Sequence, residues 1–151
     1  MRSILRATLS LVWSSWFGGM IALLIFVVRL FKASHEIGVT AAPVLFRTFA
    51  TYQLFLGGAG IALALLLFAV GRSRTVLVAA GMMLICLLLA WPIRAWTMRI
   101  GELYSAGQSN SEEFKAIHRM SSATYSTSAM LLLVAGIALS VERPPAPRAP
   151  V

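Results

Sequence analysis

Four long apolar runs, at about 9–31, 48–70, 75–96 and 120–141, dominate this chain. About 20 residues of helix cross the hydrocarbon core of a bilayer, so each run is long enough to span it. In lipid, backbone amides must be satisfied within their own segment, which makes runs of this length helices. The short alternating segments of a membrane β-barrel are absent from the sequence. The predicted fold class is therefore all-α, an integral membrane antiparallel four-helix transmembrane bundle. It occupies a single domain over 1–141, and the tail at 142–151 is too rich in proline to continue a helix. The longest stretch between spans, about 97–119, leaves no room for a second domain.

Charge supports this reading. Charged residues make up 12% of the chain, against about 25% in a soluble domain, and mean hydropathy is +0.84. The net charge of +8 comes from thirteen Lys and Arg residues scattered in small groups. No run of about five to eight basic residues is present, so no nucleic-acid partner is expected. Basic residues flanking spans are better matched to anionic lipid headgroups. Cys86, the single cysteine, lies in the third run and is expected to behave as a small hydrophobe against lipid or a neighbouring helix. Arg2 and Arg6 precede the first run, but its apolar part exceeds the roughly 7–15 residues of a secretory signal. Arg29 and Lys32 follow it rather than a small-residue cleavage site, so an uncleaved span is expected.

The connections set the expected topology. Gly71-Arg72-Ser73-Arg74 forces spans two and three into a hairpin. The stretch 32–47 reads as a connection, part of it able to lie at the interface, with Pro43 opening the helix that enters span two. Residues 106–110 read as a loop, with Ser111 as N-cap and Glu112 and Glu113 in the first turn of the last helix. Both termini then share one side. That side holds Arg2, Arg6, Arg72, Arg74, Arg143 and Arg148; the other holds Arg29, Lys32, Arg47, Arg94, Arg99, Lys115 and Arg119. The positive-inside rule does not separate two such sets. The tightness of the segments around Arg2, Arg6, Arg72 and Arg74 favours termini in the cytoplasm. The expected location is a bacterial inner membrane, multi-pass.

Trp13 and Trp16 at one side, and Tyr52, Trp91, Trp96 and Tyr125 at the other, are placed as aromatic belts at headgroup level. Small residues recur every four positions at Ser14, Gly18 and Ala22 and at Ser15 and Gly19. They also crowd span two at Gly57, Gly58, Gly60 and Ala64, and share a face at Ser121, Thr124 and Ser128. Such residues let helices approach closely in lipid, and packing within the chain is the expected use, with a homo-oligomer surface as the alternative. Met82 and Met83 are read as lipid-facing.

Candidate functional residues are the polar groups that must sit near the membrane on the side away from the termini. Arg94 follows Pro92, whose missing N–H loosens the helix. Arg29, Glu102, His118, Arg119 and Ser121 complete a candidate polar cluster. Its plain reading is snorkelling to headgroups with one or two ion pairs. Nothing in the chain assembles an enzyme: there is no aspartate, none of the five acidic residues lies within an apolar run, and no nucleophile with a base is spaced for catalysis. With His35 and His118 as the only histidines, no metal site and no cofactor is expected.

Gly18-Gly19, Val27-Val28-Arg29-Leu30-Phe31, Trp91-Pro92-Ile93-Arg94 and the stretch from Phe114 through His118 to Ser121 share a pattern. Together they resemble the four-span membrane family related to transmembrane protein 205, the domain of unknown function 4149. The resemblance covers about 9–141, and Phe114, His118 and Ser121 match its Phe-x-x-x-His-x-x-Ser stretch. The chain departs from it at Arg29, where a proline is expected, and at Tyr125, where an asparagine is expected. The resemblance implies a membrane protein with no established catalytic activity, and marks His118 and Ser121 as positions to probe. A fainter similarity runs to copper-resistance-D-like and haem-handling four-helix membrane proteins. The expected function is a non-enzymatic structural or accessory component of a membrane complex, with the lipid bilayer and other membrane proteins or further copies as partners. The alternatives are a small transporter or permeation subunit using Arg29 and Arg94, and a haem- or metal-linked protein using His118.

Overall fold

A computed structural model describes residues 1–71 and 73–141; for residues 35, 36, 38, 39, 42 and 43 it describes the backbone alone. The structure is a four-helix bundle of α1 (Arg2–Ala33), α2 (His35–Gly71), α3 (Arg74–Ser105) and α4 (Glu112–Val141). All four helices are long and apolar enough to cross a membrane. Arg72 and the tail at 142–151 lie outside the described residues. Consecutive helices pack side by side, and α1 closes the ring on α4 with the smallest contact of the four neighbouring pairs. We call the end holding Met1 and Val141 the near end, and the end holding Ser34 and the α3–α4 turn the far end.

The connection expected at 32–47 is helix instead. Ser34 alone separates α1 from α2, extended at φ −157° and ψ 124°. Its N–H donates to the Leu30 carbonyl at 3.0 Å, and its Oγ accepts from the Ile37 N–H at 3.4 Å. One serine thus ends one helix and caps the next. Position 43 lies inside α2 rather than at its start. Hydropathy stops at the lipid boundary; the helix does not, because its backbone hydrogen bonds form equally well outside.

The α3–α4 turn follows its residues. Gly107 adopts φ 71°, a conformation that glycine enters without steric cost. The Gln108 N–H donates to the Leu103 carbonyl at 2.9 Å and the Gly107 N–H to that of Tyr104 at 3.0 Å. This paired closure is the Schellman motif. Ser111 then caps α4, its Oγ accepting from the Phe114 N–H at 3.1 Å. Glu112 and Glu113 occupy the first turn, where negative charge suits the helix dipole.

Inward positions recur at three- and four-residue intervals on every helix. Leu9, Trp16, Met20 and Leu23 of α1 meet Gln53, Ala64 and Leu67 of α2, Val76, Ala79, Met83 and Cys86 of α3, and Ser128, Leu132 and Ala135 of α4. The outward faces are equally apolar, with Leu66, Ile85, Leu88 and Ile137 all exposed. A soluble bundle would put polar residues there, so this surface is made for lipid.

The aromatic residues depart from a simple belt. Trp91 is 80% exposed and faces outward, but Trp16 is wholly buried. Trp13 donates its indole N–H to the Leu132 carbonyl at 2.7 Å, joining α1 to α4. Tyr52 donates to the Ser15 carbonyl at 2.6 Å, and Tyr125 to that of Met20 at 2.5 Å. In a bundle surrounded by lipid, an interhelical hydrogen bond holds helices together where no hydrophobic force does. Depth along the helix axis suggested a belt; rotation about that axis turns Trp13 and Tyr125 inward and lays Tyr52 against Gly19 of α1.

The small residues divide likewise. A Cβ on Gly57 would stand 2.9 Å from Leu87 Cδ1 and 3.0 Å from Trp16 Cη2, and one on Gly19 would stand 2.7 Å from the Tyr52 ring. The Trp13 ring occupies the space over Gly136 and the Met83 side chain that over Gly60. Met83 is therefore core rather than lipid-facing, and only part-buried Met82 lies at its margin. Ser14, Gly18 and Ala22, expected to pack within the chain, are exposed on the outer face of α1.

Candidate functional site

Charge at the far end is organised around Arg99, a residue that sequence reasoning left out of the candidate cluster. Its Nε donates to Glu113 Oε1 at 2.8 Å, and its Nη1 to Glu102 Oε2 at 3.1 Å. One guanidinium therefore ties the end of α3 to the start of α4. The hydrogen bonds that Arg99 donates to Glu113, then to Glu102, push its already high pKa higher. Its signal was present: Arg99 and Glu102 are three apart on one helix, and Glu113 stands in the capped first turn of the next. Lys115 pairs with Glu112 at 2.9 Å, also one helical turn apart.

The predicted cluster does not converge. Arg29 on α1 and Arg94 on α3 are both exposed, and their helices lie across the bundle from one another. Neither forms an ion pair among the described residues. Glu102 is held by Arg99, and no acidic side chain pairs with Arg94 among the described residues. Ser121 spends its hydroxyl on the His118 carbonyl at 3.1 Å. Among the described residues no three His, Cys, Asp or Glu side chains stand together as metal ligands.

His118 and Arg119 do share a feature. The His118 ring stacks on Phe114, with centroids 5.9 Å apart and planes 5° from parallel. Phe114 in turn meets Tyr104 of α3 at 6.3 Å. The four-residue spacing of Phe114 and His118 is what one helix face requires for this stack. Beside the stack runs an open groove of about 620 Å³, from the Ser109–Asn110 turn past Lys115, His118 and Arg119 to Ser122 and Ser126. Its outer stretch carries the cations Lys115 and Arg119, and its stretch nearer the middle of α4 carries the hydroxyls of Ser122 and Ser126. A second groove, about 830 Å³, lies between α1 and α2 at the same end and is lined mainly by apolar side chains such as Phe26, Leu30 and Val44.

The buried polar groups lie elsewhere. Gln53 is 7% exposed, in the middle of α2. Cys86, in α3, donates its thiol to the Ser128 carbonyl at 3.3 Å. The Trp16 indole N–H is buried with no hydrogen-bond partner among the described residues. No protein-family model, curated protein or solved structure matches the chain.

Proposed function

We propose that this chain is a non-enzymatic structural or accessory component of a membrane assembly, working as a homo-oligomer or alongside other membrane proteins in a bacterial inner membrane. One observation carries the reading. Ser10, Ser14, Gly18 and Ala22 stand four residues apart on α1, and all are exposed. A Cβ added at Gly18 would meet nothing within 4 Å, whereas Gly19, one residue on, lies under Tyr52. Small residues serve close helix–helix approach, so a row of them facing outward suits another membrane helix better than lipid.

The test is native mass in nanodiscs together with crosslinking of a Ser14→Cys variant in membranes. Buried Cys86 keeps the background low. The reading expects a mass above that of one chain and crosslinking at position 14, with Gly18→Leu lowering the mass while the bundle melts as before. A single-chain mass in native membranes, with position 14 freely labelled and no partner protein captured, would overturn it.

A further inference from the structure

Going beyond that reading, we infer that the far-end groove on α4 is a binding site for the headgroup of an anionic phospholipid. Arg119 stands at its mouth, exposed and without an ion pair among the described residues. Lys115 lies one turn outward and shares its charge with Glu112. The stacked His118 ring forms the wall between them. Further along α4, toward its apolar run, stand Ser122 and Ser126.

The hydroxyls single out this groove. Ser121, Thr127, Ser128 and Ser140 each donate to a carbonyl three or four residues back in α4. This is how a hydroxyl in an apolar span is ordinarily satisfied. Ser122, Thr124 and Ser126 make no such bond among the described residues, and the two serines of these three stand in the groove wall. Both are exposed at the start of the apolar run, where lipid offers few partners. A phospholipid offers them: its ester carbonyls accept hydrogen bonds. Depth fits as well. Arg119 and Ser126 are separated by about 10 Å along the helix at 1.5 Å per residue. The headgroup zone of one leaflet is about 5–8 Å thick. With Arg119 level with the phosphate, Ser122, about 4–5 Å inward, falls at the ester carbonyls, and Ser126 lies just below them at the head of the acyl chains. The cation sets the preference for an anionic headgroup, and the serines hold what all phosphoglycerides share.

The experiment is native mass spectrometry of delipidated protein titrated with phosphatidylglycerol or phosphatidylcholine of the same acyl chains, melting checked for every variant. Wild type is expected to retain phosphatidylglycerol preferentially. Arg119→Gln should lower that retention about five-fold, the effect of one cation beside an anionic headgroup, while Arg94→Gln, at the same end outside the groove, changes it little. The double variant Ser122→Ala, Ser126→Ala should reduce both lipids and leave their ratio intact. Equal losses from Arg119→Gln and Arg94→Gln would show diffuse charge attraction and overturn the site. Displacement of the lipid by millimolar inorganic phosphate would show a free-phosphate site and overturn the lipid as its occupant. If all variants retain lipid as wild type does, the groove holds none.

Discussion

In the middle of the bundle, Trp13, Tyr52 and Tyr125 each carry one polar atom across to a carbonyl of another helix. At the far end, Arg99 gathers two carboxylates on side chains that are about half exposed or more. Both arrangements join helices, and they differ in what competes with them. Around the inner bonds there is hydrocarbon or packed side chain, so a hydroxyl or indole N–H that loses its carbonyl finds little else nearby. Around Arg99 there is water and salt, which replace most of what a lost carboxylate supplied. The far end has the more conspicuous network; the interior has the one that decides whether the bundle closes.

The largest loss of stability is expected at Gly136. The Trp13 ring lies where its Cβ would stand, so Gly136→Val must expel the indole and break its bond to the Leu132 carbonyl. Overpacking and the lost hydrogen bond together predict a destabilisation of about 2–4 kcal/mol. Because α1 and α4 touch least, the ring of helices should open at that seam. Denaturant unfolding in detergent measures the loss, and Gly18→Val, on the open outer face, should stay within about 0.5 kcal/mol of wild type. Equal losses at the two glycines would mean that the indole does not pack on Gly136.

A smaller effect separates the two tyrosines. Tyr125→Phe removes one hydroxyl from an α4–α1 bond and is expected to cost about 0.6–1.7 kcal/mol, between the average and the maximum for hydrogen bonds within a membrane bundle. Tyr52 is 37% exposed and Tyr125 is less so, so Tyr52→Phe should fall at or below the lower figure. The same unfolding assay ranks them, and a larger loss from Tyr52→Phe would reverse the order of burial argued here.

The all-α class and the number of long apolar helices were legible because hydropathy reports them directly. So were the break after α3 and the Ser111 cap, where glycine and serine stand at positions with one conformational use. Rotation about each helix was less legible. Trp13, Tyr52 and Tyr125 stand at depths that suit a belt, and only the neighbours of a finished bundle show which way they point. For Trp16 a signal did exist, since it falls in step with Leu9, Met20 and Leu23 on one face. The α1–α2 turn at Ser34 was hidden because the charges, glycine and proline within 32–47 read as a connection, although that stretch continues as helix on both sides of one serine. The ion pairs at the far end were less legible than the charges beside the spans. Arg94 and Arg29 drew notice as charges beside long apolar runs, whereas Arg99, which makes the contacts, looked like an ordinary loop cation.

The smallest effect is expected where the structure shows its most complete ion network. Glu113→Gln removes one of the two carboxylates on Arg99 and keeps the shape of the side chain, so an oxygen remains to accept from the guanidinium. Glu102 still holds Nη1, and all three side chains are open to water. The melting midpoint is therefore expected to move by about a degree or less at low salt. At about 1 M salt, where the Debye length is near 3 Å, the difference should vanish. Tyr125→Phe should keep its full effect under both conditions, because salt does not enter the bundle. A loss from Glu113→Gln that matched the tyrosine and persisted in salt would place the α3–α4 clamp inside the folding core, and would show that the far end closes the bundle alongside the interior.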